Sequence, residues 1–213
     1  MKVFEANMGQ RVSDYLNDNL KDISLFEIAN QKLFDFFKIK QFFEKNEELE
    51  HLKLAISDAL HIVEEIDRAE YGDFQTNADL AHKATLHLVL KNISPEIIVE
   101  PTCGKGNFII AALSNFKHIK NIFGVEIYKP YVWETKFNII NFYLENPDNN
   151  KPEILISHCN VFDFDFKTIA KQDFKKQLDR LNDLYKFNLT LDLWDSFLKE
   201  MSPVNNGQFA MVF

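Results

Sequence analysis

The feature that most constrains this chain is a run of branched apolar residues that meets two closely spaced glycines and continues as an apolar-faced helix. It reads Ile97-Ile98-Val99-Glu100-Pro101-Thr102-Cys103-Gly104-Lys105-Gly106-Asn107-Phe108-Ile109-Ile110-Ala111-Ala112-Leu113. The first three residues suit a strand buried on both faces of a parallel sheet. Beyond Gly106 the apolar run is too long for an ordinary strand, and Phe108, Ile109, Ala112 and Leu113 fall on one helical face. Without a Cβ, Gly104 and Gly106 permit positive φ and let a bound ligand approach the main chain. The free N–H groups of the following helix would point at that ligand.

The surroundings fit this unit into a larger α/β pattern. From Pro95 onward strands are expected at 97–100, 119–126 and 153–157, with helices at 107–116 and 130–144 and a short loop at 158–166. Such alternation implies right-handed crossovers and a parallel sheet, with ligands beyond the carboxyl ends of its strands. Residues 11–68 show helical periodicity with few breakers and read as two or three helices. One apolar group is Leu25, Ile28, Leu33, Phe36, Phe37, Ile39, Phe42 and Phe43. The acidic and basic run at 44–50 reads as a solvated face. The fold class expected is therefore α/β, a Rossmann-like parallel sheet with helices on both faces, preceded by an N-terminal helical subdomain. The division expected is 1–70 for the helices and 71–213 for the ligand-binding domain. Between them, Tyr71-Gly72-Asp73-Phe74-Gln75-Thr76-Asn77-Ala78-Asp79 is a glycine-containing loop before a helix, with Thr76 and Asp79 at capping spacing. The apolar face of that helix reads as Leu80, Ala84, Leu86, Leu88 and Leu90.

Composition narrows the function classes. A chain of 213 residues with 46% hydrophobic content can bury one substantial core. The net charge of -8 argues against non-specific capture of nucleic acid or acidic membranes by the chain as a whole. Cys103 and Cys159 make neither a metal-ligand spacing nor a disulfide framework, so no metal is expected. No cleavable leader and no apolar run of about 18 residues is present, so a soluble cytoplasmic protein without a membrane partner is expected.

Three strand ends converge in this reading. Besides the glycine turn, Glu126 ends the second strand twenty residues past Gly106, placed to accept from both hydroxyls of a ribose. Asn160 follows the third strand, and its amide can donate to and accept from a purine edge. A nucleoside-containing cofactor follows. The turn is no phosphate-cradling P-loop, because Asn107 stands where Lys is required, and Ile109 stands where a dinucleotide fingerprint needs a third small residue. Glu100 at the turn favours a cationic ligand over a pyrophosphate.

At these residues the chain resembles the S-adenosylmethionine-dependent DNA adenine-N6 methyltransferases of restriction-modification systems. Glu100-Pro101-Thr102-Cys103-Gly104-Lys105-Gly106-Asn107-Phe108 looks like that family's acidic-Pro-x-x-Gly-x-Gly-x-Phe motif. Tyr71 to Thr76 resembles the loop that closes over the methionine end of the cofactor, with Phe74 and Thr76 at its aromatic and hydroxyl positions. Val125-Glu126-Ile127 resembles the ribose motif, with Ile127 beside the adenine ring. His158-Cys159-Asn160-Val161-Phe162-Asp163-Phe164-Asp165-Phe166 resembles the adenine-edge motif, with Asn160 where Asp is commoner. The resemblance implies S-adenosyl-L-methionine as cofactor, bound by Tyr71, Phe74, Thr76, Glu100, Pro101, Thr102, Cys103, Gly104, Gly106, Asn107, Phe108, Glu126, Ile127, Asn160 and Val161. For Cys103 it implies only turn lining, and Phe108 is equally well explained by helix-to-sheet packing. It also implies double-stranded DNA as partner, through regions largely outside this chain, and allows a nuclease or specificity module in the full-length protein.

The family's catalytic loop, Asn/Asp-Pro-Pro-aromatic, has no counterpart. Of the six prolines no two are adjacent, so no catalytic residue is assigned. The fourth strand expected before it is also missing: 167–185 and 189–201 read as helices and 208–213 as a later strand. One expectation is a segment lost between 166 and 189, with its junction near Gln172 and Asp173. The other is a shortened, inactive relative. In both, the later strands and any DNA-reading domain lie outside this chain, as the front part of a longer enzyme. The alternatives to a DNA methyltransferase are a binding or assembly module that has lost catalysis, and a methyltransferase acting on RNA or protein. The loop at 71–76 favours DNA.

Overall fold

The computed structural model describes residues 6–57 and 75–164. These fall into two units divided after Cys159, and residues 160–164 are treated by themselves.

The chain begins with two amphipathic helices, Gln10–Leu20 (α1) and Phe26–Phe37 (α2). Each buries a one-turn-repeat stripe, Val12, Leu16 and Leu20 on the first, Ala29, Leu33 and Phe37 on the second. At Lys38 the backbone enters the left-handed region (φ 58°), which stops α2 and turns the chain into a two-residue strand, Ile39–Lys40 (β1). Asn30 then fixes the segment that follows, donating to Phe43 O and accepting from Phe43 N, both at 2.8 Å. The next helix, Asn46–Ser57 (α3), buries Leu49, Leu52 and Ala55. The strand at Ile39 departs from the helical reading of this region. Helical periodicity places Ile39 with its neighbours, whereas the left-handed residue before it redirects the chain to a sheet edge.

After Ala78–Leu90 (α4), three strands alternate with two helices: Ile97–Glu100 (β2), Asn107–Asn115 (α5), Asn121–Glu126 (β3), Lys129–Glu145 (α6) and Glu153–His158 (β4). The fold is α/β and Rossmann-like, a four-stranded sheet of order β1-β4-β3-β2 in which every pairing is parallel. Because β2, β3 and β4 lie side by side in chain order, right-handed crossovers put α5 and α6 on the same face, where they touch. The registers build rows across that face: Ile98, Ile122 and Ile154, continued at the edge by Ile39, then Glu100, Gly124 and Ile156. All seven residues are buried.

α6 is the centre of the unit. Residues 132–137 are buried without interruption, because α6 is covered by β3 and β4 on one side and by α1 and α2 on the other. Trp133 meets Phe42 and Phe43 edge-on or tilted, with centroids 5.6 and 5.8 Å apart. Lys136, equally buried, donates to Phe42 O at 2.9 Å and Gln41 O at 3.2 Å, and its ammonium lies over the Phe42 and Trp133 rings. Lys129 at the start of α6 pairs with Glu44 and Glu48, so the run at 44–50 is not simply a solvated face. Burial alone would raise the Glu48 carboxyl, but the Glu44 N–H and the Lys129 ammonium outweigh it and hold it below the usual range.

Candidate functional site

The glycine turn between β2 and α5 can be accounted for peptide by peptide. In a trans peptide the C=O and N–H point to opposite sides, and all peptides of the described residues are trans. At the Cys103–Gly104 peptide, the carbonyl accepts from Gly106 N at 2.8 Å and Gly104 N donates to Glu126 Oε2 at 2.9 Å. At the Gly104–Lys105 peptide, the carbonyl accepts from Thr135 Oγ1 at 2.7 Å and Lys105 N donates to Gln75 Oε1 at 3.0 Å. The Lys105 carbonyl accepts from Asn138 Nδ2 at 2.9 Å. Three consecutive peptide groups are thus held at both ends, by α6 beneath, by the end of β3, and by the loop before α4. Asn107 adds a tie to that loop, donating to Thr76 O at 2.7 Å.

Both glycines adopt the positive φ expected of them, 52° at Gly104 and 83° at Gly106. The space their missing Cβ leaves is taken by the protein itself. At Gly104 a Cβ would collide with the Gln75 carboxamide, and at Gly106 it would stand 2.8 Å from Thr135 Cγ2. A third glycine acts beside them: a Cβ at Gly124 in β3 would lie 2.8 Å from Ile156 Cδ1 and 3.1 Å from Ile109 Cδ1. The side chains of Ile109 and Ile156 pack into the space this residue leaves between α5 and the sheet. Gln75, Gly124, Thr135 and Asn138 carry no signal in the sequence, since each matters through a contact some thirty residues distant. Only Gln75 lies within a motif-like stretch.

Two carboxyl groups stand at the strand ends. Glu126 joins the turn to its own loop, one oxygen accepting from Gly104 N and the other from Tyr128 N at 2.7 Å. Glu100, ending β2, is only 3% exposed, and no hydrogen bond or ion pair among the described residues involves its carboxyl. Burial pushes it up to about 8. Cys103 is buried, and burial, with Glu126 and Glu100 nearby, pushes its thiol far above the usual range. It is a buried neutral thiol in the turn.

The remaining residues of the sequence reading are distributed as follows. Pro101, Asn107 and Phe108 are half-buried and Thr102 is exposed, all on the turn or the first turn of α5. Ile109, rather than Phe108, is the fully buried residue on the sheet-facing side. Ile127 is 64% exposed directly after Glu126, an apolar side chain left uncovered at the sheet's carboxyl edge. Thr76 is half-buried; Tyr71 and Phe74 lie outside the described residues, as do 165–213. The missing fourth strand and the junction near Gln172 and Asp173 therefore also lie outside them. In the second unit, Asn160 and Val161 are half-buried, and the Asn160 side-chain oxygen accepts from Phe162 N at 3.0 Å, closing a local turn. Among the described residues no group of His, Cys, Asp or Glu could hold a metal ion, and no helix is long and apolar enough to cross a membrane.

Over 77 residues the chain is 51% identical to a protein of Nostoc sp. (strain ATCC 29411 / PCC 7524) named type II methyltransferase M.NspV. That stretch covers 36% of this chain and 16% of the Nostoc protein. No protein-family model matches the chain. No solved structure matches it.

Proposed function

We propose that the chain carries the cofactor site of an S-adenosylmethionine-dependent DNA adenine-N6 methyltransferase of a restriction-modification system. The observation that carries this reading is the bond between Gly104 N and Glu126 Oε2, which makes the glycine turn and the acid of the neighbouring strand one site at the sheet's carboxyl edge. The motif resemblance and the similarity to a type II methyltransferase support it. The DNA and adenine parts rest on the motif resemblance and on the loop at 71–76.

The residues present fit the cofactor. Glu126, at the end of β3 beside the turn, would hold the ribose hydroxyls, and exposed Ile127 would cover one face of the adenine. Glu100, a buried carboxyl without a donor among the described residues, would meet positive charge on the methionine portion. The assignment of Asn160 to the adenine edge, and of Tyr71, Phe74 and Thr76 to the methionine end, rests on the motif resemblance alone. When bound, S-adenosylmethionine supplies a methyl group on a cationic sulfur. No residue of this chain is assigned to the target amine.

Thermal unfolding with the cofactor tests the reading. At about a hundred times its dissociation constant, a ligand that binds only the folded chain adds roughly 2.7 kcal/mol. Glu126→Ala should lose the upward shift. Because a cation favours ionised Glu100, binding should release a proton and tighten as pH rises towards 8, and Glu100→Gln should flatten that dependence. No shift in the wild type at millimolar cofactor would refute the proposal in favour of an assembly module.

A further inference from the structure

Beyond the residues that would touch the cofactor, we infer that Thr135 and Asn138 on α6 are positioning residues for the ligand-binding turn. This rests on the proposal that a ligand binds at that turn. The Thr135 hydroxyl holds the Gly104 carbonyl at 2.7 Å and the Asn138 amide holds the Lys105 carbonyl at 2.9 Å. Because a trans peptide is rigid and planar, pulling the Gly104 carbonyl towards α6 turns the Lys105 N–H the other way. In this structure it meets Gln75 Oε1.

The same helix makes two further contacts with the turn. The Thr135 methyl fills the space below Gly106, so a hydroxyl and a methyl on one β-branched side chain set both glycines of the turn, Gly104 and Gly106. Glu134 pairs with Lys105 Nζ at 3.0 Å, and its other oxygen accepts from Asn7 N at 3.3 Å. Its neighbour Lys136 locks α6 to the segment after β1. The turn is therefore held by a helix that is itself clamped between the sheet and the N-terminal layer. A residue that only stabilises the fold would change melting without changing ligand affinity once folded. A positioning residue changes affinity in the folded chain.

The test compares Thr135→Val, Thr135→Ser and Asn138→Ala with the wild type by calorimetric titration of S-adenosylmethionine, at a temperature where circular dichroism shows all four folded. Thr135→Val keeps the shape and removes the hydroxyl. Thr135→Ser keeps the hydroxyl. Asn138 is exposed, so its truncation leaves the core intact. Thr135→Val and Asn138→Ala should each weaken binding by about fivefold to tenfold, the effect of one lost hydrogen bond, and Thr135→Ser should recover most of the loss. Wild-type affinity in both Thr135→Val and Asn138→Ala overturns the inference. Should Thr135→Val fail to fold, Asn138→Ala alone decides it. Absence of binding by the wild type overturns instead the cofactor reading on which the inference stands.

Discussion

Glu100 and Lys136 are both held out of water, and their burial gives stability opposite slopes with pH. Burial pushes Glu100 up to about 8 from its ordinary 4.5. Between those values the folded chain keeps a proton that the unfolded chain has released, so stability present below 4.5 is lost as pH rises towards 8. Burial, then the Lys129 charge, brings Lys136 down to about 8 from 10.5, against the pull of Glu48 and Glu44. There the unfolded chain keeps the proton, so stability rises again between about 8 and 10.5. Urea titrations across this range should therefore show a minimum near pH 8. Glu100→Gln should flatten the acid side and Lys136→Met the alkaline side; a monotonic profile would contradict both assignments. The glycines offer a second check. Gly106→Ala, strained at φ 83° and pressed on Thr135, should destabilise by about 1–3 kcal/mol. Gly9→Ala, at φ -66° with open space around its Cα, should change stability by no more than about 1 kcal/mol.

At the scale of elements, α4 shows how a correct helix can be read with the wrong face and the wrong cap. The spacing of Thr76 and Asp79 suggests a threonine cap, but the helix starts one residue later and the Asn77 side chain accepts from Asp79 N at 2.8 Å. Leu80, Leu86 and Leu90 are exposed, while Ala81 and Thr85 face inward with Leu88 and Val89 packed beside them. A small residue there lets α4 approach α5 closely, and the Thr85 hydroxyl is satisfied by donating to Ala81 O and accepting from Asn115 Nδ2. Leucine count alone points to the other side. Asn77→Ala should cost about 0.5–2 kcal/mol in chemical denaturation, and Thr76→Ala less than about half of that. Equal losses would restore threonine as the cap.

At the scale of the molecule, the N-terminal helices and the sheet share one apolar core, with Ile39, Phe42 and Phe43 in the same cluster as Ile122, Ile140 and Ile154. Ile39→Ala should therefore cost about 2–5 kcal/mol and lower the urea midpoint of the same transition that Ile122→Ala lowers. A shift confined to a separate earlier transition would make the N-terminal helices an independent layer. The strands expected at 97–100 and 153–157, the helices between them and the positive φ of both turn glycines were legible in the sequence, because each depends on neighbours in the chain. Branched runs, a missing Cβ and a 3.6-residue repeat are local properties, and they determine a parallel α/β unit with a glycine turn. Tertiary structure alone decided that Ile39 becomes an edge strand and that Gln75 and Thr135 occupy the space the glycines leave. Those outcomes depend on which side chains meet across about thirty residues, or on how the chain turns at Lys38. No periodicity in the sequence encodes that information.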